Sequence, residues 1–403
     1  MRWTRRAWIS IAAATPAAAA WPEFRGPGGQ GLAREANAPL RWGEGRNIAW
    51  SAPIPGRGWS SPVVRDGLVW LTAAEQGGAS LSALAFEASS GRLIRQTEVF
   101  ALDSAPSIHQ KNSHASPTPI LEDDRVYVHF GALGTAALDF DGRVVWTNRE
   151  HRYNHGHGSG GSPEQWENLL IFSCDGTDRQ FMAAVDKNDG RTAWTASRGR
   201  ARMAYSTPLA IPRGDDAQIV SPGADRAVSY DPRTGRELWW ITYDGFSNVP
   251  RPVYAHGLVY IASGFYDPTL FAVRPDGEGD VTLSHVAWTA SRGVPLTPSP
   301  IVVGDQIHFV SDNGIASCLD ARDGSEHWRK RLGGNFSASP TAVGERIYFT
   351  NETGETTVLR AGVRYEELAR NQLGDETLAS LAVDGEAIYL RAGTTLYRLE
   401  EGA

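Results

Sequence analysis

Four of the ten histidines in this 403-residue chain stand in two short polar stretches, residues 107–114 and 153–161. His155-Gly156-His157 could give two imidazole ligands to a metal, and Asp175 could add a carboxylate. Such a centre would activate water for a hydrolase or lyase. The neighbouring glycines could equally serve only to bend the loop. Arg57, Arg202 and Arg251 have the forked shape that suits an anionic ligand such as a carboxylate or acidic sugar, and Trp59 and Tyr205 can stack on a ring. His109, Asn112, His114, Asn248 and Asn335 add polar groups at comparable places in the chain. Gly158-Ser159-Gly160 is not the G-x-S-x-G of a nucleophile elbow, and no G-x-x-x-x-G-K phosphate loop occurs.

The elements that position these residues are repeated. A Ser-Pro pair or a variant recurs every 40 to 55 residues, at Ser61, Ser116, Ser162, Thr207, Arg251, Ser299, Ser339 and Ser380. A short apolar strand, a turn and an aromatic follow: Trp70, Tyr127, Tyr260, His308, Tyr348 and Tyr389. A third strand then ends in an acid and a Gly turn, as in Asp186…Gly190 and Asp320…Gly324. Trp146, Trp194, Trp239 and Trp328 each come four residues after that Gly. Asp-x-x-Thr/Asp-Gly is turn chemistry, and the Trp is a plate for packing one unit on the next. About four short strands per unit is the period of a propeller blade. The sequence therefore predicts an all-β fold, a single eight-bladed propeller over residues 47–403. The last unit lacks an outer strand and residues 47–50 form a spare one, so pairing them would close the ring and remove two exposed edges.

The Leu-Asp-x-x-Thr/Asp-Gly-x-x-x-Trp repeat resembles the PQQ-type repeat of the quinoprotein alcohol dehydrogenase-like propellers, a superfamily that includes outer-membrane assembly lipoproteins. The opening Trp21-Pro22-Glu23-Phe24-Arg25-Gly26-Pro27 looks like that of an exported bacterial subgroup. The resemblance implies the propeller and admits a quinoprotein oxidoreductase using PQQ with Ca²⁺. However, the adjacent Cys pair and long insertions of those enzymes are missing, and repeat similarity reports packing rather than ligand. A binding module or scaffold is the expected function, with the quinoprotein and the metal-dependent hydrolase or lyase as alternatives.

In a four-stranded blade, the loops entering the inner strand share one face with the second-to-third-strand loops. The acid–Gly turns lie on the other face. Eight copies of one structural loop should look alike, yet the entry loops of units one to five carry His, Arg, Asn, Trp and Tyr. That variety predicts a ligand site at the channel mouth, for a small molecule or a protein. Asp123-Asp124 and Asp215-Asp216 fall in predicted turns and should be solvated. His308 should be a packed core residue.

Composition agrees with many turns around real core. Gly (43) and Pro (23) are abundant while 41% of residues are hydrophobic. The net charge of −7 argues against nucleic acid as a partner. Residues 1–20 read as a leader, with Thr4-Arg5-Arg6 resembling a twin-arginine signal, although an ordinary export signal fits as well. Residues 21–46 would then be an N-terminal extension. The expected location is periplasmic or secreted. No apolar stretch reaches 18 residues, so no transmembrane segment is expected. The first Cys is Cys174, so no lipid anchor is expected. Cys174 and Cys318, three units apart, read as buried free thiols, and the chain as a monomer.

Overall fold

A computed structural model describes residues 20–33, 37–199 and 202–403. The predicted leader, apart from Ala20, lies outside the described residues. Eight antiparallel sheets follow one another in chain order. Blade one is typical: Val63–Arg65, Leu68–Glu75, Ser80–Glu87 and Leu93–Ala101, from the channel outward. Among the described residues there is no α-helix. Second and third strands are almost wholly apolar and buried, because each is covered by a blade on both faces.

Ile48–Pro53 closes the ring as the outer strand of blade eight. It runs antiparallel to Thr395–Leu399, with Ile48 opposite Leu399 and Pro53 opposite Thr395. Four outer-strand tryptophans, Trp50, Trp146, Trp194 and Trp288, clamp their blades to the next. Trp146 Nε1 donates to the Lys187 carbonyl at 2.8 Å, and Trp194 Nε1 to that of Pro232 at 2.9 Å. Each indole also lies flat on the turn glycine of the neighbouring blade. A Cβ at Gly190 would fall 2.5 Å from Trp146, and one at Gly235 equally close to Trp194. The glycine is thus required twice, by its positive φ and by the plate above it. Trp239 departs from this pattern and donates to Gln218 Oε1 at 2.7 Å. The insertion in blade five supplies Gly279–Asp280, which adds a fifth, parallel strand to blade four.

The aromatic column holds as read. Tyr260, Tyr348, Tyr389 and His308 are buried between blades. Cys174 and Cys318 are free and buried. One repeat position is corrected. In unit two the structural counterpart of Ser61 is Thr118, before Pro119, and not Ser116 before Pro117. The Ser61 N–H donates to Thr118 Oγ1 at 3.0 Å, and the Thr118 N–H to Ser162 Oγ at 2.9 Å. With that shift Tyr127 also comes eight residues after its Pro.

Residues 21–33 do not lie outside the wheel. They cross the central channel and touch the inner strands of blades far apart in the ring. Trp21 exchanges two 2.9 Å backbone bonds with Val64 in blade one, and the Leu121 N–H of blade two donates to the Pro22 carbonyl at 2.8 Å. The Arg25 guanidinium reaches the Pro300 carbonyl at 2.7 Å, and the Tyr254 N–H donates to Gln30 Oε1 at 3.1 Å. Leu32–Ala33 then runs parallel to the inner strand Thr341–Val343. This segment stops the channel, so the mouth opens into a blind funnel.

Candidate functional site

The funnel holds about 380 Å³. Its floor is Phe24 of the channel segment, encircled by the Ser/Thr positions of the repeat. Its wall carries Trp59, His109, Lys111, His157, Tyr205, Val249 and Phe265. The floor is built by the sequence repeat itself. Each Ser or Thr before a Pro places its hydroxyl where the preceding blade's N–H points. Besides the two bonds already given, Ser162 donates its N–H to Thr207 Oγ1 at 2.9 Å, Arg251 to Ser299 Oγ at 2.9 Å, Ser299 to Ser339 Oγ at 3.0 Å, Ser339 to Ser380 Oγ at 2.9 Å and Ser380 to Ser61 Oγ at 3.0 Å. The collar is interrupted only after Thr207, because Arg251 occupies the next position and offers no hydroxyl.

The predicted site residues divide into several groups. His109, His157 and Tyr205 come together as an aromatic wall. The two imidazoles have centroids 5.3 Å apart, and His157 stacks on Tyr205 at 6.1 Å and 21°. Trp59 stands in the same funnel and also borders a second hollow of about 570 Å³ that contains Arg57 and His114. Arg57 is exposed there, while His114 Nε2 donates to the Pro106 carbonyl at 2.8 Å. Asn112 works as a staple. Its Nδ2 donates to the His157 and Ser159 carbonyls, at 2.9 and 3.1 Å, and its Oδ1 accepts from Ser116. Arg202 pairs with Asp225 at 2.5 Å and lies 4.6 Å over the Phe246 ring. Asn335 is exposed on the far side, near Glu352.

Three predicted residues turn away from the mouth. Arg251 is buried beneath the floor. Its Nη1 donates to the Phe24 carbonyl at 2.7 Å, and its Nη2 contacts Glu23 at 3.4 Å and Glu164 more closely. Burial pushes both carboxyls up against the pull of this guanidinium. The reason is positional: Arg251 stands at the collar position before the inner strand Val253–Ala255, where the channel segment passes. Asn248 is fully buried and donates to Tyr243 Oη at 2.9 Å. His155 is also buried, and burial depresses its basicity.

A metal centre does not fit this arrangement. Among the described residues no group of three His, Cys, Asp or Glu side chains could hold a metal ion. Asp175 is committed to Arg198 at 2.9 Å in a buried pair, its carboxyl pushed up to about 6 by burial. Among the described residues Asp312 is the one carboxylate lining the funnel, and its Oδ2 accepts two backbone N–H groups, from Leu296 and Thr297. Among the described residues the funnel thus offers one carboxylate, already bonded, where a Ca²⁺ site would draw on several oxygen ligands.

Sequence reasoning missed the floor and part of the rim. Phe24 had no repeat to flag it. The rim gains Phe246, Phe265 and Tyr266, with ring centroids 5.6 to 6.3 Å apart. Lys111 reaches over from blade two to Glu352 of blade seven at 2.5 Å. The collar hydroxyls were visible as Ser/Thr before Pro, but only as punctuation.

A family model described as outer membrane protein assembly factor BamB matches residues 43–156, 178–280 and 276–364, most of the chain. The chain belongs to the BamB family. BamB of Shewanella oneidensis is 24% identical over 167 residues, which is 39% of this chain. The match covers 40% of that relative's own length. The crystal structure of BamB from Moraxella catarrhalis superposes with a TM-score of 0.62 at 15% identity, over 88% of this chain and 99% of that one. The quinohemoprotein alcohol dehydrogenase of Comamonas testosteroni superposes with a TM-score of 0.69 at 12% identity, over 95% and 81%. At these identities the two structures share a fold with this BamB-family chain. The PQQ-like repeat is the basis of that likeness. No helix among the described residues is long and apolar enough to cross a membrane.

Proposed function

We propose that this BamB-family chain is an exported, non-catalytic propeller scaffold, with residues 1–20 as its leader, 21–46 as the extension and 47–403 as the wheel. In this reading it works in the periplasm or outside the cell. Its funnel mouth binds a ligand, a protein partner being the class favoured by the family's description as an assembly factor. The observation that carries the reading is the blind funnel. It is lined by fixed aromatic and hydroxyl groups, the arrangement of a binding pocket. The rim aromatics Phe265 and Tyr266 are 42% and 77% exposed, which is costly without a partner and fits an interface anchor.

The test is site-specific photo-crosslinking in the exporting host, with the reactive group placed at position 157 or at position 123 on the opposite face. Adducts at 157 and none at 123 are expected. Equal labelling at both positions would sink the mouth as the binding surface.

A further inference from the structure

We propose that the funnel floor is a receptor for a carboxylate on an apolar stem, held against the Thr118–Ser162–Thr207 arc of the collar. This rests on the reading of the funnel as the binding site and names its ligand chemistry. Every collar hydroxyl oxygen already accepts a backbone N–H from the blade before it. A hydroxyl that accepts still has one hydrogen to give. Among the described residues, Ser61, Thr118, Ser162, Thr207, Ser299 and Ser380 give that hydrogen to no other protein group. All six are at most 4% exposed and all line the funnel. The floor is therefore a set of buried hydroxyls with hydrogens to give, each keeping one lone pair beside the N–H it accepts, except Ser299, which also accepts from Ser339 Oγ. A carboxylate, which is acceptor-only, takes those hydrogens and brings none, whereas a sugar hydroxyl or an ammonium brings donor hydrogens of its own.

Charge points the same way. Three buried guanidiniums, Arg25, Arg251 and Arg391, lie behind the collar, against two buried carboxyls, Glu23 and Glu164, and the Asp312 carboxylate, which two backbone N–H groups hold on the blade-six side of the funnel. Arg25 bonds only carbonyl oxygens, those of Gln30 and Pro300, and its Nε and Nη1 have no partner. Arg391 bonds Ser60 Oγ at 3.1 Å and the Thr72 carbonyl at 2.8 Å, with Nε and Nη2 unpaired. Buried guanidinium N–H groups without an acceptor, behind a floor of hydroxyl donors, favour an anion.

The arc is chosen by its neighbours. Thr118, Ser162 and Thr207 share the funnel with the stacked His157 and Tyr205, and Phe24, Val249 and Phe265 leave room only for an apolar or aromatic stem. Such a group is either a free small acid or the last residue of a polypeptide.

The test titrates the full mature chain with 3-phenylpropionate and with 3-phenylpropionamide. An N-acetylated Gly-Gly-Phe tripeptide follows, with a free or amidated C-terminus. Binding is followed by calorimetry. The acid should bind about tenfold tighter than its amide, since the amide forfeits charge-assisted bonds. Ser162→Ala should cost about tenfold in acid affinity, while Ser162→Thr, which keeps the hydroxyl, should stay within about twofold. The acid–amide pair needs no variant, so a folding defect cannot mimic the result. Tighter binding of the free peptide identifies a polypeptide terminus as the source, and tighter binding of 3-phenylpropionate identifies a small acid. Equal binding of acid and amide overturns the carboxylate but leaves the funnel a binding site. No binding by any probe overturns it too, and absence of crosslinks at position 157 as well removes the reading beneath it.

Discussion

The rim of the wheel and its axis use the same repeat in opposite ways. At the rim one device recurs at four seams, those of Trp50, Trp146, Trp194 and Trp288: a Trp on one blade covers the turn Gly of the next, and the indole N–H caps a turn carbonyl. At the axis the pattern holds for seven hydroxyls and fails at Arg251, and there the chain's own residues 21–33 enter. The recurring clamp at the rim binds blade to blade. The single exception at the axis ties the channel segment in place, since Arg251 binds Phe24 and Glu23 on that segment and Glu164 on blade three. Repetition encodes the scaffold, and departure from it encodes the particular interior of this protein.

The comparison is most sharply tested by removing the exception. Arg251→Ala would leave Glu23 and Glu164 buried without their cation and is expected to cost about 3–5 kcal/mol, read as a fall in denaturant midpoint. The same truncation at an exposed arginine such as Arg92 should change almost nothing. A drop no larger than that of Arg92→Ala would mean the segment is not held by this residue.

At the rim, Gly190→Ala meets both a positive φ of 73° and the Trp146 ring. It should cost about 2 kcal/mol or more, against about 1 for Gly67→Ala, which has a φ of 75° and open space around it. Thermal melts of the two variants check the order. Equal losses would show that the plate contributes nothing beyond backbone strain.

The smallest effect concerns pH. Burial depresses His129 and His308 to about 3, far below an unfolded value near 6.5. The unfolded chain then binds more protons than the folded one between those values, so stability is full above about 6.5 and declines as the pH falls toward 3. From pH 7 to pH 5 the loss is about 1–2 kcal/mol for each histidine, seen as a falling melting temperature. His308→Tyr, which restores the column's usual residue, should reduce that slope. An unchanged slope would remove His308 from the account.

The eight blades and the seam were legible because they rest on local chemistry repeated at fixed offsets. The register of unit two was ambiguous, since Ser116-Pro117 and Thr118-Pro119 are adjacent candidates and only the bonds between blades distinguish them. The direction of Arg251 was illegible for a different reason. Its carboxylate partners stand 228 and 87 residues away, and no periodicity links them. His109, His157, Tyr205 and Trp59 could be placed at one opening from loop position alone. Phe24 could not, because nothing in an unrepeated segment says that it enters a channel.

The seam has a consequence for the order of assembly. Ile48–Pro53 can pair only with Thr395–Leu399, so the wheel's first strand waits for nearly the whole chain before it gains a neighbour. Contacts of such long sequence separation form late and slowly. Until then, the blade-eight edge and the open axis are both unfilled. The Ile48–Pro53 strand is therefore the edge left unpaired longest while the chain is being made.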